Sequence, residues 1–306
     1  MDRIAYGGWD NCYRLANHAI ELVVTGDVGP RVIRLAPRHG QNLFKEFPQM
    51  MGKTGGGEWR IYGGHRLWHS PEAKPRTYFP DNLPVQVTAI KNGLRTLQMV
   101  ESATGIQKQM EITLDPAKPH VKVVHRLTNR NQWAVAFAPW ALSVMAPGGV
   151  EILPQAPFAP HETTLLPARP LVLWPYTNMA DKRWTWGERF IRLRQDPKAK
   201  KPQKVGLALQ DGWAAYVLKG TAFIKRFTHV PNAAYPDFGC SFETFTNADM
   251  LEIESLGPLA AVEPGKAVQH VEHWFVFEGV KVGATDASIE KAMAPLIEQS
   301  GKMMQP

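Results

Sequence analysis

The chain has 306 residues, of which 44% are hydrophobic and 21% are charged. This balance is typical of a globular protein with a large apolar core, and it excludes a disordered or fibrous chain. The net charge of +7 favours an anionic ligand. The one dense basic run, residues 198–204, contains Pro202 and no aromatic side chain. We interpret it as a solvated loop and expect no nucleic-acid partner.

The cysteine count and the hydropathy of the chain indicate where in the cell the protein is expected. Two cysteines, Cys12 and Cys240, are too few for a disulfide framework. The first residues lack a basic segment followed by an apolar run, so we expect no secretory signal and a cytoplasmic protein. Residues 131–150 are uncharged and largely apolar, but Pro139 and Pro147 interrupt them. We therefore expect two buried strands there, and no membrane partner.

The main pattern along the chain is an alternation of apolar and polar residues with a period of two, which is typical of strands. The predicted strands cover residues 31–35, 85–90, 96–102, 107–114, 121–128, 204–209, 213–218 and 270–277. The Asn-Gly pair at 92–93 predicts a hairpin between two of them. The proline-rich segment 154–175 is interpreted as one long loop.

One helix is predicted, near the C-terminus. Asp286 is the expected N-cap, and Ile289, Met293 and Leu296 recur at helical spacing, while Pro295 should kink or shorten the helix. Because strands dominate, we predict an all-β fold: a large antiparallel β-sandwich with a short C-terminal helix, formed by the whole chain as a single domain.

Residues 63–72, which read Gly-Gly-His-Arg-Leu-Trp-His-Ser-Pro-Glu, hold an unusual density of chemically active side chains. A guanidinium, an indole and a carboxylate suit a polyhydroxylated ring. We therefore predict that Arg66, Trp68 and Glu72 bind substrate, and that this segment is a loop over a rigid scaffold.

The same segment also allows a metal site. His65, His69 and Glu72 have spacings of four and three, which would align them on one face of a helix. The preceding glycines and Pro71 oppose a stable helix, so we predict no metal. A hydrogen-bonded structural network under a loop is the alternative.

A pair of carboxylates at Glu252 and Glu254 lies in the predicted strand Leu-Glu-Ile-Glu-Ser-Leu. Residues two apart in a strand point to the same face. In a cleft, their mutual repulsion would raise the pKa of one of them, which suits general acid–base catalysis. A solvent-facing strand is the alternative.

Two aromatic segments are further candidates for a sugar site. Trp186, within residues 184–190, is a candidate platform for a sugar ring, although Trp is also common in β cores. In residues 235–247 aromatic residues alternate with polar ones, which is typical of a strand that lines a pocket or of an amphipathic edge strand. The polar residues predicted to bind substrate there are Asp237, Glu243 and Asn247. No nucleotide fingerprint, paired-Cys motif or nucleophile motif is present, so we predict no cofactor.

Three stretches together resemble the galactose-mutarotase-like superfamily, and in particular its bacterial aldose-epimerase-like branch. They are residues 25–33, residues 105–140 and residues 251–277. The resemblance implies a large antiparallel β-sandwich with a sugar cleft on its concave sheet.

The resemblance also implies roles for single residues. The catalytic base of the mutarotases resembles Glu252 or Glu254, of which we favour Glu254, and their substrate-binding Arg resembles Arg66. The catalytic His does not carry over, because the chain has Trp140 in that region. We expect His65 or His69 to supply the acid instead.

The resemblance implies a sugar, or an anionic derivative of one, as the small-molecule partner. Epimerase-type acid–base chemistry is the expected activity. A non-catalytic carbohydrate-binding protein, and a sugar lyase or hydrolase on the same fold, are the alternatives.

Overall fold

Two antiparallel sheets dominate the computed structural model, which describes residues 1–304. The strands of the first half of the chain are β1 (Asp2–Tyr6), β2 (Trp9–Ala16), β3 (Ile20–Thr25), β4 (Arg31–Pro37), β5 (Gly64–Ser70), β6 (Gln86–Ile90), β7 (Gly93–Leu97), β8 (Ile106–Leu114), β9 (His120–Asn129), β10 (Val135–Met145) and β11 (Val150–Pro154).

The second half of the chain adds ten strands and two helical segments. They are β12 (Leu171–Leu173), β13 (Trp184–Trp186), β14 (Phe190–Arg194), β15 (Gln203–Leu207), β16 (Trp213–Leu218), β17 (Thr221–Phe227), α1 (Pro236–Gly239), β18 (Phe242–Thr246), β19 (Leu251–Leu256), β20 (Ala260–Val262), β21 (Ala267–Phe277) and α2 (Asp286–Met303).

The first sheet has eleven strands in the order β1-β2-β3-β4-β5-β10-β19-β18-β15-β12, with β20 paired to β10. The second has ten strands in the order β13-β14-β11-β16-β17-β21-β9-β8-β7-β6. The predicted all-β sandwich with a C-terminal helix is therefore confirmed.

Apolar side chains from both sheets form the main core. Phe44 packs edge to face against Phe223 and Trp274, with ring centroids 5.8 Å and 5.7 Å apart. Along β8, buried and half-buried residues alternate without exception, which is the period that the sequence predicts. In β5 and β19 every residue is buried, so both faces of these strands are covered.

Most of the predicted strands are present. The strand predicted over 96–102 is wrong in its bounds, because β7 covers Gly93–Leu97, and the loop predicted over 154–175 contains the short strand β12. The hairpin of β6 and β7 turns at Asn92, whose φ is 57°, and residues 131–150 contain β10 and the start of β11. Residues 63–72 were expected to form a loop, which is wrong, because β5 covers most of them. The first three strands were not predicted. No helix within residues 1–304 is long and apolar enough to span a membrane.

Helix α2 packs on the second sheet through Ile289 and Met293, which are buried against Phe275 and its neighbours. Its N-cap is Thr285, whose hydroxyl accepts a hydrogen bond from the Ser288 amide at 3.3 Å. The expectation that Asp286 is the cap is wrong by one residue. Pro295 does not shorten the helix, which continues to Met303.

We expect Thr285→Ala to lower the free energy of unfolding by about 1 kcal/mol, because the first turn of α2 loses its side-chain acceptor. Urea denaturation measures this change. Lys291→Ala, on the exposed side of the same helix, is the matched control and should change stability by less than about 0.5 kcal/mol. Equal effects of the two substitutions would contradict the capping role.

Candidate functional site

A cavity of about 350 Å³ lies on the face of the first sheet where β5, β10, β19, β18 and β15 are neighbours. The antiparallel register places Arg66 opposite Leu142, Leu142 opposite Glu254, and Glu254 opposite Glu243. Side chains in one such row point to the same face of the sheet. The cavity floor is thus built from four adjacent strands.

Aromatic rings form much of the cavity wall. The Trp68 ring lies 5.4 Å from those of Trp59 and Trp140 and 5.0 Å from that of Tyr78, measured between centroids. The Arg66 guanidinium sits 4.4 Å from the Trp68 centroid. The interlocked rings provide flat apolar surfaces of the kind that pack against the C–H faces of a sugar.

Three ion pairs, formed by two cations, organise the polar part of the cavity. Arg66 Nη1 lies 2.9 Å from Glu252 Oε1. Lys204 Nζ lies 2.7 Å from Glu243 Oε2 and 3.3 Å from Glu254 Oε2. The indole Nε1 of Trp140 also donates to Glu254 Oε2, at 3.0 Å. Lys204 therefore balances only one of the two carboxylates that it contacts.

The pKa of Glu254 is raised to about 7, chiefly by burial. The Lys204 ammonium opposes this rise, and the negative charge of Glu252 adds to it. Burial also raises the pKa of Glu243 well above its ordinary value. Glu254 can therefore gain and lose a proton near neutral pH, which is what a general acid–base group requires.

Most of the residues predicted to bind or transform substrate lie together. The cavity is lined by Arg66, Trp68, Glu72, Asn247, Glu252 and Glu254. Glu243 is buried beside Lys204, below the cavity surface. Glu72 Oε1 accepts a hydrogen bond from the Tyr78 hydroxyl, and Asn247 Oδ1 accepts from the amides of Asp249 and Met250.

Two predicted binding residues lie away from this group. Trp186 belongs to β13 of the second sheet, where it stacks on Trp184 at 5.0 Å and donates to the Met179 carbonyl. Asp237 lies in the α1 turn, where its φ is 49°, and it does not line the cavity. Residues 235–247 are thus not one continuous strand, and only the part from Phe242 to Thr246 is extended.

His65 and His69 are on the opposite face of β5 from Arg66 and Trp68, between the two sheets. Both are fully buried. His69 Nε2 lies 3.5 Å from Glu101 Oε2. The structure therefore does not bring either imidazole together with Glu254, because odd and even residues of a strand point to opposite faces. The expectation that they resupply an acid in the cleft does not fit this geometry.

His65 belongs instead to a buried polar network. Its Nε2 lies 2.7 Å from His125 Nε2, and its Nδ1 lies 2.9 Å from the Ser143 hydroxyl. The ligand atoms of His65, His125 and Glu272 all lie within 4.8 Å of one another, so these three residues could hold a metal ion. In the structure their hydrogen-bonding atoms are partnered, since Glu272 also accepts bonds from Lys225, Ser255 and Trp274. The network is therefore complete on protein groups alone.

Sequence reasoning missed several cavity residues, of which Lys204 is the most important. It closes the basic run that was interpreted as a solvated loop. Lys198, Lys200 and Lys201 are indeed exposed, but Lys204 is only 4% exposed. One feature of the sequence did set Lys204 apart from the lysines before it: it begins the predicted strand 204–209. Other missed residues include Trp59, Tyr78, Tyr176 and Asp249, whose positions carried no distinguishing pattern.

No protein-family model matches the chain, and no curated protein matches its sequence. Among solved structures, a protein from Klebsiella pneumoniae provisionally named aldose 1-epimerase has a TM-score of 0.60 and 11% identity. That comparison covers 99% of this chain and 86% of the other.

Two further solved structures are similar. A galactose mutarotase-like protein from Lactobacillus casei has a TM-score of 0.58 and 9% identity, over 87% of this chain and 100% of the other. A galactose mutarotase related enzyme from Lactobacillus acidophilus has a TM-score of 0.51 and 11% identity, over 90% and 98%. At these identities the likeness establishes the fold alone.

We expect Lys204→Met to lower the free energy of unfolding by about 3–5 kcal/mol at pH 8, because two buried carboxyls lose their cation. In the variant, the pKa values of Glu243 and Glu254 in the folded protein would lie still further above their values in the unfolded chain. The carboxyls are neutral at low pH, and stability is lost as pH rises through the folded-state pKa. The loss should therefore be smaller at pH 5. Urea denaturation at both pH values tests this, with the exposed Lys201→Met as the matched control, and a loss independent of pH would contradict it.

Proposed function

We propose, from the galactose mutarotase-like fold of this chain, that it binds a sugar in the aromatic cavity and catalyses epimerase-type interconversion of its anomers, by proton transfer at the anomeric hydroxyl and the ring oxygen. The observation that carries this proposal is Glu254. It is a buried carboxyl on the cavity floor, its pKa is raised to about 7, and aromatic rings surround it. A carboxyl in that setting combines access to substrate with a proton affinity suited to neutral pH.

Glu254 is the base in this proposal. Its Oε2 accepts from Trp140 and Lys204, which fix the orientation of the carboxylate. Glu252 is less suited to the role, because its Oε1 is paired with Arg66. A base that opens a pyranose ring removes the proton of the anomeric hydroxyl, while an acid protonates the ring oxygen as the bond from carbon to that oxygen breaks. Reclosure on the other face returns both protons.

The proposed acid is the phenol of Tyr176. The two cations and the other phenol of the cavity are paired with carboxyls: Arg66 with Glu252, Lys204 with Glu243 and Glu254, and Tyr78 with Glu72. Within residues 1–304, the Tyr176 hydroxyl donates to no protein atom. Burial raises its pKa to about 12, so the phenol holds its proton throughout the neutral range.

The binding residues in this proposal surround the reacting carbon. The Trp68 indole packs against the sugar ring, and the Asn247 amide donates to a hydroxyl group. A non-catalytic carbohydrate-binding protein is the second candidate. It is favoured by one observation: no histidine lines the cavity among the residues that the structure describes.

We expect Glu254→Gln to reduce kcat by about 10²–10⁴-fold, because the amide cannot accept a proton. The Kd for the sugar should change less than about threefold, since the shape is kept. Proton NMR measures both, as exchange between anomeric signals and as saturation transfer to the ligand. Glu263→Gln, an exposed substitution, is the control. Wild-type exchange in the Glu254→Gln variant would refute the role of Glu254. Saturation transfer without exchange in the wild-type protein would favour the binding protein.

The pH dependence gives a second test of the base. Since Glu254 acts in its ionised form, kcat/KM should rise with pH and level off above a midpoint near its pKa of about 7. Tyr176→Phe should lower the plateau by about 10²-fold and leave the midpoint in place, because it removes the acid alone. A midpoint below about pH 5 would contradict the assignment of Glu254.

A further inference from the structure

We infer that the cavity selects sugars that carry a cationic amine over sugars that carry a phosphate or a carboxylate. This inference rests on the proposed sugar-binding function and specifies its substrate class. Six charged side chains among residues 1–304 line the cavity. Two are cations, Arg66 and Lys204, and four are carboxylates: Glu72, Asp249, Glu252 and Glu254.

Neither cation is free to hold an anionic substrate. Arg66 is paired with Glu252, and Lys204 sits between Glu243 and Glu254. Both side chains are almost fully buried. A phosphate would have to break one of these pairs and leave a carboxylate buried without a partner, which is costly.

Two carboxylates remain where the cavity opens. Glu72 and Asp249 are exposed lining residues, and neither forms an ion pair within the described chain. The Tyr78 hydroxyl donates to one oxygen of Glu72, which fixes that carboxylate beside the aromatic wall. The lining carries one more negative than positive charge while Glu254 is protonated and two more once it is ionised, so it attracts a cation in either state.

The aromatic wall has the same preference, because ring faces attract cations. Three lining rings already lie within cation–π distance of the cavity's own cations: Trp59 and Trp68 with Arg66, and Trp140 with Lys204. Lys74 lies over Tyr78 at 5.3 Å. An ammonium group on a sugar would meet both ring faces and carboxylates, whereas a phosphate would meet no unpaired cation among the lining residues.

This local charge is opposite in sign to the net charge of the chain. The excess of basic residues includes exposed positions such as Lys198, Lys200 and Lys201. The inference therefore departs from the expectation, drawn from the overall charge of +7, of an anionic ligand.

Binding of four matched probes tests the inference. A 2-amino-2-deoxyhexose, its N-acetyl derivative, the parent hexose and the hexose 6-phosphate are titrated by calorimetry near pH 6.5, where the amine is protonated. We expect the amine to bind about fivefold or more tightly than both the N-acetyl form and the hexose, and the phosphate to bind most weakly. The advantage of the amine should shrink as salt is added.

Two variants identify the groups responsible. Glu72→Gln and Asp249→Asn should each reduce the ratio of the affinity for the amine to the affinity for the parent hexose by about two- to fivefold. Glu263→Gln should leave this ratio unchanged. Equal affinity for the amine and the hexose, or tightest binding of the phosphate, would overturn the inference.

Anomeric exchange distinguishes failure of this inference from failure of the proposed function. Exchange of the parent hexose that depends on Glu254, without a preference for the amine, would overturn the inference and keep the function. A preference for the amine without exchange would support the inference and leave a binding protein. Absence of binding by all four probes would overturn both.

Discussion

The alternation of side chains across β5, β10 and β19 is the constraint on which the rest of this molecule depends. Both faces of these strands are buried, one against the second sheet and the other beneath the cavity. A shift of one residue would exchange the two faces. It would move Arg66 into the core and His65 into the cavity, and it would replace Glu254 by Ser255. The register of these three strands therefore determines which side chains face a ligand in the cavity.

Strand β19 is held from both faces by buried lysines. On the cavity side, Lys204 contacts the Glu254 carboxylate. On the core side, Lys225 donates to the Ile253 carbonyl at 3.0 Å and the Ala141 carbonyl at 3.3 Å, and pairs with Glu272 at 2.8 Å. Buried ion pairs of this kind add little net stability, but they resist rearrangement, because breaking one leaves a charge without a partner. This suits a strand whose carboxylate must keep a defined position.

The charge balance of the cavity connects its structure with its proposed chemistry. One ammonium between two carboxyls leaves a proton to be shared, and burial of Glu254 brings its pKa to about 7. In the same arrangement, the cations of the cavity are already paired with carboxylates. The cavity has too few cations to balance its buried carboxylates. For this one reason it both holds a proton acceptor near neutral pH and binds anions poorly.

The sequence by itself determined the sandwich class, most of the strands, the C-terminal helix and the presence of Glu252 and Glu254 on one face of a strand. These features depend on the short-range alternation of apolar and polar residues, which can be read from one sequence without knowledge of its tertiary contacts. It did not distinguish Lys204 from the exposed lysines before it, nor Trp68 in the cavity wall from Trp186 in the second sheet. It also did not show that His65 and Arg66, which are adjacent in sequence, face different environments. Only the tertiary structure decided these points, because burial, charge pairing and pKa depend on strands that are brought together from distant parts of the chain.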